Sequence, residues 1–135
     1  MLCNNGMLSV VIPTLNAAAQ LGATLAALQR PAWGKHEGEI LVVDGGSGDA
    51  TLGIAEQGGA RIVAAPRGRG PQLIAGAAAA RGEWLLFLHA DTTLGENWMG
   101  AAGTFMDEPR NAERAAAFAF ALDDPSPAAR RIERL

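Results

Sequence analysis

Short apolar blocks rich in β-branched residues recur along the chain, and between them the apolar positions fall at helical rather than alternating intervals. That rhythm marks parallel strands joined by crossover helices. The blocks Leu8 to Pro13, Glu39 to Val43, Arg61 to Ala64 and Trp84 to Leu88 predict four strands, and the unbroken apolar ones suit a sheet covered on both faces. A fifth strand is predicted in AAAFAFAL, residues 115–122, where Phe118, Phe120 and Leu122 alternate with alanine, leaving one face bulky and the other thin.

Helical spacing fills the intervals. Leu21, Leu25 and Leu28 stand at i, i+4 and i+7 in residues 17–30, giving one apolar stripe, with Asn16 as its expected cap. A second helix is predicted from Asp49 over Ala50 to Gln57, closed by Gly58-Gly59. The third begins at Pro71, whose fixed φ suits a first turn, and runs to Gly82. A fourth, Glu96 to Met106, presents Trp98, Ala101, Ala102 and Phe105 on one side. Ser126-Pro127 opens a further helix in which Ala128, Ile132 and Leu135 keep the spacing to the last residue without a stop signal. Residues 1–7 therefore read as a tail, and residues 8–135 as one α/β domain of mostly parallel sheet, the N-terminal portion of a longer protein. A complete small domain with a frayed last helix is the alternative.

Composition narrows the function classes. A chain of 135 residues, 49% hydrophobic and 19% charged, can bury a single core without staples. Its net charge of -3 argues against a broad grip on nucleic acid, although Arg67-Gly68-Arg69 can hold a few phosphates. A small anionic ligand fits this balance better than a polymer. The single cysteine, Cys3, supports neither a disulfide frame nor a thiolate metal site. No apolar run reaches the about 18 residues of a spanning helix, and the N-terminus has no basic-then-apolar export signal, so cytoplasmic residence is expected.

Ligands of parallel α/β sheets gather outside the carboxyl ends of the strands. Here those ends read PTLN (13–16), DGGS (44–47), the loop 66–70 and HADT (89–92), so polar groups collect on one rim. Asp44 and Asp91 both follow apolar strands, and each must be paired, hydrogen-bonded or bound to a cation. Two readings stand for each: a carboxylate that caps a turn, or one of two acids facing a shared ligand crevice. DGGSGD lacks the dinucleotide spacing, yet its glycines let backbone approach a flat base or ribose. PRGRG offers either a diphosphate clamp or two solvated surface arginines.

Taken together, SVVIPTLN, EILVVDGGSGDAT and GRGPQLIAGAAAARGEWLLFLHADT resemble the family 2 glycosyltransferases of the Rossmann-like GT-A fold, and more narrowly the radical-SAM/selenodomain-associated subgroup. The resemblance implies a nucleoside diphosphate sugar as donor, an unidentified acceptor, inversion, and a divalent metal, Mn²⁺ or Mg²⁺, at the diphosphate. By the same resemblance Pro13 and Thr14 lie in the first nucleotide-contacting segment, Asp44 faces base or ribose, and Arg69 lies near the diphosphate. His89-Ala90-Asp91 falls on the D-x-D motif, with Ala90 beside the donor and Asp91 on the metal.

Departures from the pattern matter too. His89 replaces the first carboxylate; an imidazole ligates Mn²⁺ or donates to phosphate but suits Mg²⁺ poorly, and a strand-end histidine bonded to a carbonyl is the competing reading. Gly45 stands where many relatives have a second aspartate, and Ile74 where they often have asparagine. The general base of such relatives lies beyond this region, and Asp123 and Asp124 read equally well as turn residues. A nucleotide-binding or assembly module without turnover is thus a second hypothesis, and a phosphohydrolase using His89 and Asp91 a third. An unfinished sheet edge with Phe118 and Phe120 uncovered predicts self-association.

Overall fold

The computed structural model describes residues 6–119 and 126–128. Four strands form in it, β1 (Leu8–Thr14), β2 (Gly38–Asp44), β3 (Arg61–Ala64) and β4 (Trp84–Phe87). All pair in parallel, in the order β3-β2-β1-β4, with Leu8 opposite Gly38 and Trp84, and Thr14 opposite Asp44. The chain starts in the middle of the sheet, winds outward through β2 and β3, then crosses back to lay β4 on the other side of β1. That reversal makes the carboxyl ends of β1 and β4 the topological switch point, where neighbouring connections diverge and leave a crevice.

Helices cover both faces, as the unbroken apolar strands require. On one face Leu8, Val10, Ile12 and Val42 pack with Leu21 and Leu25 of α1 (Ala18–Ala26), Ala55 of α2 (Thr51–Gln57) and Trp98 and Met99 of α4 (Trp98–Asp107). On the other, Val11, Leu41 and Val43 meet α3 (Arg69–Ala79). Close approach there depends on Gly76, since a Cβ at that position would collide with Val11 and Val43. α4 is fixed at the end of α1 by the Trp98 indole, which donates to the Ala27 carbonyl (3.1 Å) and meets the Trp33 ring edge-to-face at 5.4 Å. Among the described residues no helix is long and apolar enough to cross a membrane.

At the amino ends of the strands a polar cluster ties the sheet to α3. Glu39 accepts from the Ser9 hydroxyl (2.8 Å), the Arg61 guanidinium (2.9 Å) and the Arg81 amide (2.7 Å). Burial pushes its carboxyl up, but the Arg81 amide, the Arg61 side chain and the Ser9 hydroxyl together hold it below its ordinary value.

Several expectations are corrected. Residues 115–119 form no strand; they are exposed, follow a 3₁₀ turn at Pro109–Asn111 and have no ladder partner among the described residues, so alternation alone does not fix an extended pairing. The rest of that segment, residues 120–122, lies outside the described residues, as do Cys3, Asp123, Asp124 and the later part of the expected last helix, of which Pro127 and Ala128 are helical. α1 ends at Ala26 instead of continuing to Arg30: the backbone is extended at Gln29, with ψ 150, and Pro31 then stands in the first turn of a separate 3₁₀ helix at Arg30–Trp33. Asn16 does not cap α1: it sits at φ 50, and its side chain accepts from the Gly48 amide at 2.8 Å.

Candidate functional site

Loops after β1 and β2 are laced together at the carboxyl rim. The left-handed backbone at Asn16, which asparagine tolerates better than most residues, lets its amide donate to the Ser47 hydroxyl at 2.8 Å. Asp49 accepts from the first amide of α1, Ala18 (3.2 Å), and from the Thr51 amide (3.0 Å) and hydroxyl at the start of α2. One exposed carboxylate thereby takes one of the free amides at each of two helix N-termini.

Asp44 is only 5% exposed, and every acceptor position it has is filled from within the chain. One oxygen takes the Thr14 hydroxyl (2.8 Å) and the Ser47 hydroxyl (2.6 Å); the other takes the Gly46 amide (3.0 Å) and the Ser47 amide (2.8 Å). Burial pushes this carboxyl up, and the Ser47 hydroxyl and amide, the Thr14 hydroxyl and the Gly46 amide outweigh it, so it titrates below its ordinary value. Gly46 makes the turn possible with φ 99. Asp44 thus organises the glycine loop on itself.

Two adjoining hollows open at the switch point instead. The larger, about 260 Å³, is lined by Pro13, Leu15, Asn16, Ala17, Gln20, His89, Ala90 and Asp91. The smaller, about 170 Å³, is lined by Pro13, Arg69, Leu73, Phe87, Leu88 and His89. Pro13 and His89 belong to both and form the divide between them. Asp91 opens on one side and Arg69 on the other; both are exposed and neither side chain is hydrogen-bonded or ion-paired among the described residues. The His89 ring likewise has no such bond there, so the carbonyl-bound reading of that histidine is not met. The Thr24 hydroxyl of α1 donates to the Ala90 carbonyl (2.7 Å), and the Thr92 amide to the His89 carbonyl (3.1 Å), which fixes the backbone carrying these groups.

The structure therefore brings Pro13, Ala90, His89 and Asp91 together, sets Arg69 next to them, and places Thr14 and Asp44 in neither hollow. Asp44 lines neither of these two hollows; it ends the strand next to β1 and turns onto its own loop.

Gln72 was not singled out by the sequence reading. It is 4% exposed and bonds three backbone groups: its amide NH₂ donates to the carbonyls of Thr14 and Val43 (both 2.8 Å), and its oxygen accepts from the Gly68 amide (3.1 Å). The available signal was its spacing of four from Gly76, the glycine at which α3 closes on the sheet.

The donor set also tests a cation site. His89 and Asp91 supply one imidazole and one carboxylate on a common hollow, a pair suited to Mn²⁺ more than to Mg²⁺. Among the described residues no group of three His, Cys, Asp or Glu side chains is placed to hold a metal. A hydrolytic zinc-type site with three protein ligands is not built among the described residues. An ion shared with a polyphosphate, which brings its own oxygens, fits two.

The sequence matches the family described as Glycosyl transferase family 2 over residues 9–126. A PGL/p-HBAD biosynthesis glycosyltransferase of Mycobacterium tuberculosis (strain ATCC 25177 / H37Ra) is 41% identical over 97 residues, covering 67% of this chain and 37% of the relative. Among solved structures, S. aureus TarS 1-349 in complex with UDP-GlcNAc superposes with a TM-score of 0.63 at 26% identity, over 75% of this chain and 31% of that one. Glucosyl-3-phosphoglycerate synthase from Mycobacterium tuberculosis in complex with Mn²⁺, UDP and glucosyl-3-phosphoglycerate gives a TM-score of 0.58 at 27% identity, over 65% and 36%. The chain spans about a third of the length of these proteins. With its parallel sheet, switch-point hollows and family match over most of its length, this chain belongs to glycosyl transferase family 2.

Proposed function

We propose that this chain carries the donor-binding part of a glycosyltransferase that moves a sugar, with inversion, from a nucleoside diphosphate sugar to an acceptor. The observation that carries the reading is the pair of hollows divided by Pro13 and His89, with the Asp91 carboxylate on one and the Arg69 guanidinium on the other, neither paired among the described residues. In this reading a diphosphate crosses the divide. Asp91 and His89 hold a divalent cation, Mn²⁺ or Mg²⁺, on one side, and Arg69 pairs with phosphate oxygens from the other. When bound, such an ion offsets the negative charge that develops on the departing diphosphate. The nucleoside lies toward Pro13 and the ordered loop at residues 45–48. Thr14 and Asp44 act on it through that loop.

Support from relatives is consistent with this assignment: TarS is solved with UDP and with UDP-GlcNAc, and the glucosyl-3-phosphoglycerate synthase with UDP and Mn²⁺. Calorimetric titration with UDP and GDP, each with and without Mn²⁺, tests it. Binding of at least one nucleotide, strengthened by Mn²⁺, is expected; no binding, or a Mn²⁺ increment unchanged by Asp91→Ala, contradicts it. A second copy of the chain is the proposed partner at the sheet edge, where β4 is outermost among the described strands and Leu85 and Phe87 are exposed. Light scattering at rising concentration should show dimers that Phe87→Lys disperses; a monodisperse wild-type monomer would refute this.

A further inference from the structure

We infer that Gln72 is the positioning residue that sets the diphosphate-facing arginine against the strand ends. This rests on the donor reading above. A primary amide offers two N–H donors and one carbonyl acceptor, and all three directions are used. Both donors are spent on the carbonyls of Thr14 and Val43, backbone groups at the carboxyl ends of the two central strands. The acceptor takes the amide of Gly68, the residue immediately before α3, whose φ of 138 only glycine adopts comfortably. A buried side chain within α3 thus ties the loop that launches α3 to the floor of the site, and the next residue after Gly68 is Arg69, which lines the smaller hollow.

No other side chain of similar size reproduces this pattern. Glutamate has only acceptors and would face two carbonyl oxygens; methionine fills the volume but bonds none of the three groups. Gly45 adds a second handle. A Cβ there would stand 3.0 Å from the Gln72 Oε1, 3.1 Å from its Cδ and 3.2 Å from the Arg67 Cα, so Gly45→Ala presses the amide and the loop before α3 apart by a few tenths of an ångström without removing any polar group.

The test compares affinity for UDP with affinity for UMP in the wild type, Gln72→Met, Gln72→Glu, Gly45→Ala, Arg69→Ala and the Gln72→Met/Arg69→Ala pair, alongside hydrogen exchange at the Gly68 amide. Displacing one charge-assisted contact is expected to reduce the preference for UDP over UMP about tenfold in either Gln72 variant, and by less in Gly45→Ala. The double variant should lose little more than Arg69→Ala alone, because both changes remove the same contact. Gly68 exchange should accelerate in both Gln72 variants. A merely structural role would lower the melting temperature and weaken both nucleotides equally, leaving the ratio intact and the two changes additive; that result overturns the inference. Should the Gln72 variants fail to fold, Gly45→Ala decides by the same ratio. If the wild type binds neither nucleotide, the donor reading falls, and unchanged Gly68 exchange would separately overturn the clamp.

Discussion

Asp44 and Asp91 both follow strands of one parallel sheet, yet their surroundings are opposite. Asp44 is buried and receives four hydrogen bonds from Thr14, Gly46 and Ser47. Asp91 is exposed on a hollow, with no partner for its side chain among the described residues. The difference follows from strand order. Asp44 ends β2, whose neighbours on both sides are β1 and β3, and its loop can fold back on a continuous surface. The segment after β4 faces the divergence of connections beside β1, and Asp91 lines the hollow that opens there. A carboxylate beyond a strand is therefore saturated by its own loop in the first setting and left without a side-chain partner among the described residues in the second.

The largest effect should come from removing the scaffold. Asp44→Ala leaves four donors without their acceptor, the buried Thr14 hydroxyl among them, and should cost about 3 kcal/mol in urea unfolding, whereas Asp91→Ala should stay within about 0.5 kcal/mol. Equal costs would erase the distinction. Next in size is binding: Asp91→Ala should weaken Mn²⁺-dependent UDP affinity about tenfold or more, which equilibrium titration at fixed ionic strength would read. His89→Gln sharpens the cation side. Loss of the imidazole should narrow the preference for Mn²⁺ over Mg²⁺ in UDP binding by about threefold, while an unchanged ratio would place His89 off the cation.

A smaller effect concerns pH. Asp44 titrates below its ordinary value of 3.8 in the folded chain, so its contribution is complete above that value and disappears as pH falls through the depressed native one. Glu39 acts in the same direction from 4.5. Stability should therefore decline with acidification from about pH 4.5 downward, and Asp44→Asn should flatten the lower part of that decline. An unfolding free energy with the same acid slope in both proteins would show that Asp44 is not the group involved.

Periodicity made the scaffold legible: four strands and four helices lie close to where apolar spacing puts them, and Gly58-Gly59 closes α2 as expected, with the Gly58 amide on the Ile54 carbonyl at 3.0 Å. The placement of Asp91, His89 and Arg69 on the carboxyl rim was legible because the loops after parallel strands gather there, and all three line the hollows. The saturation of Asp44 was not legible, since one of its donors, Thr14, lies thirty positions earlier and meets it only through strand register. Gln72 was hidden for a similar reason. Its three partners come from two strands and a loop, and nothing local distinguishes a buried glutamine from an exposed one beyond its place on the sheet-facing side. Over residues 115–119 the expected fifth strand does not form, because Ala-Phe alternation specifies which faces a strand would have without specifying a neighbour to pair with.

The most direct measurement is electron paramagnetic resonance of Mn²⁺ titrated into the protein in the presence of UDP, for the wild type, Asp91→Asn and Asp44→Asn. Free aqueous Mn²⁺ signal should fall on forming a protein-bound Mn²⁺–UDP complex in the wild type and in folded Asp44→Asn, and persist in Asp91→Asn. Persistence in Asp44→Asn alone, with Asp91→Asn binding normally, would contradict the assignment of the cation to the end of β4.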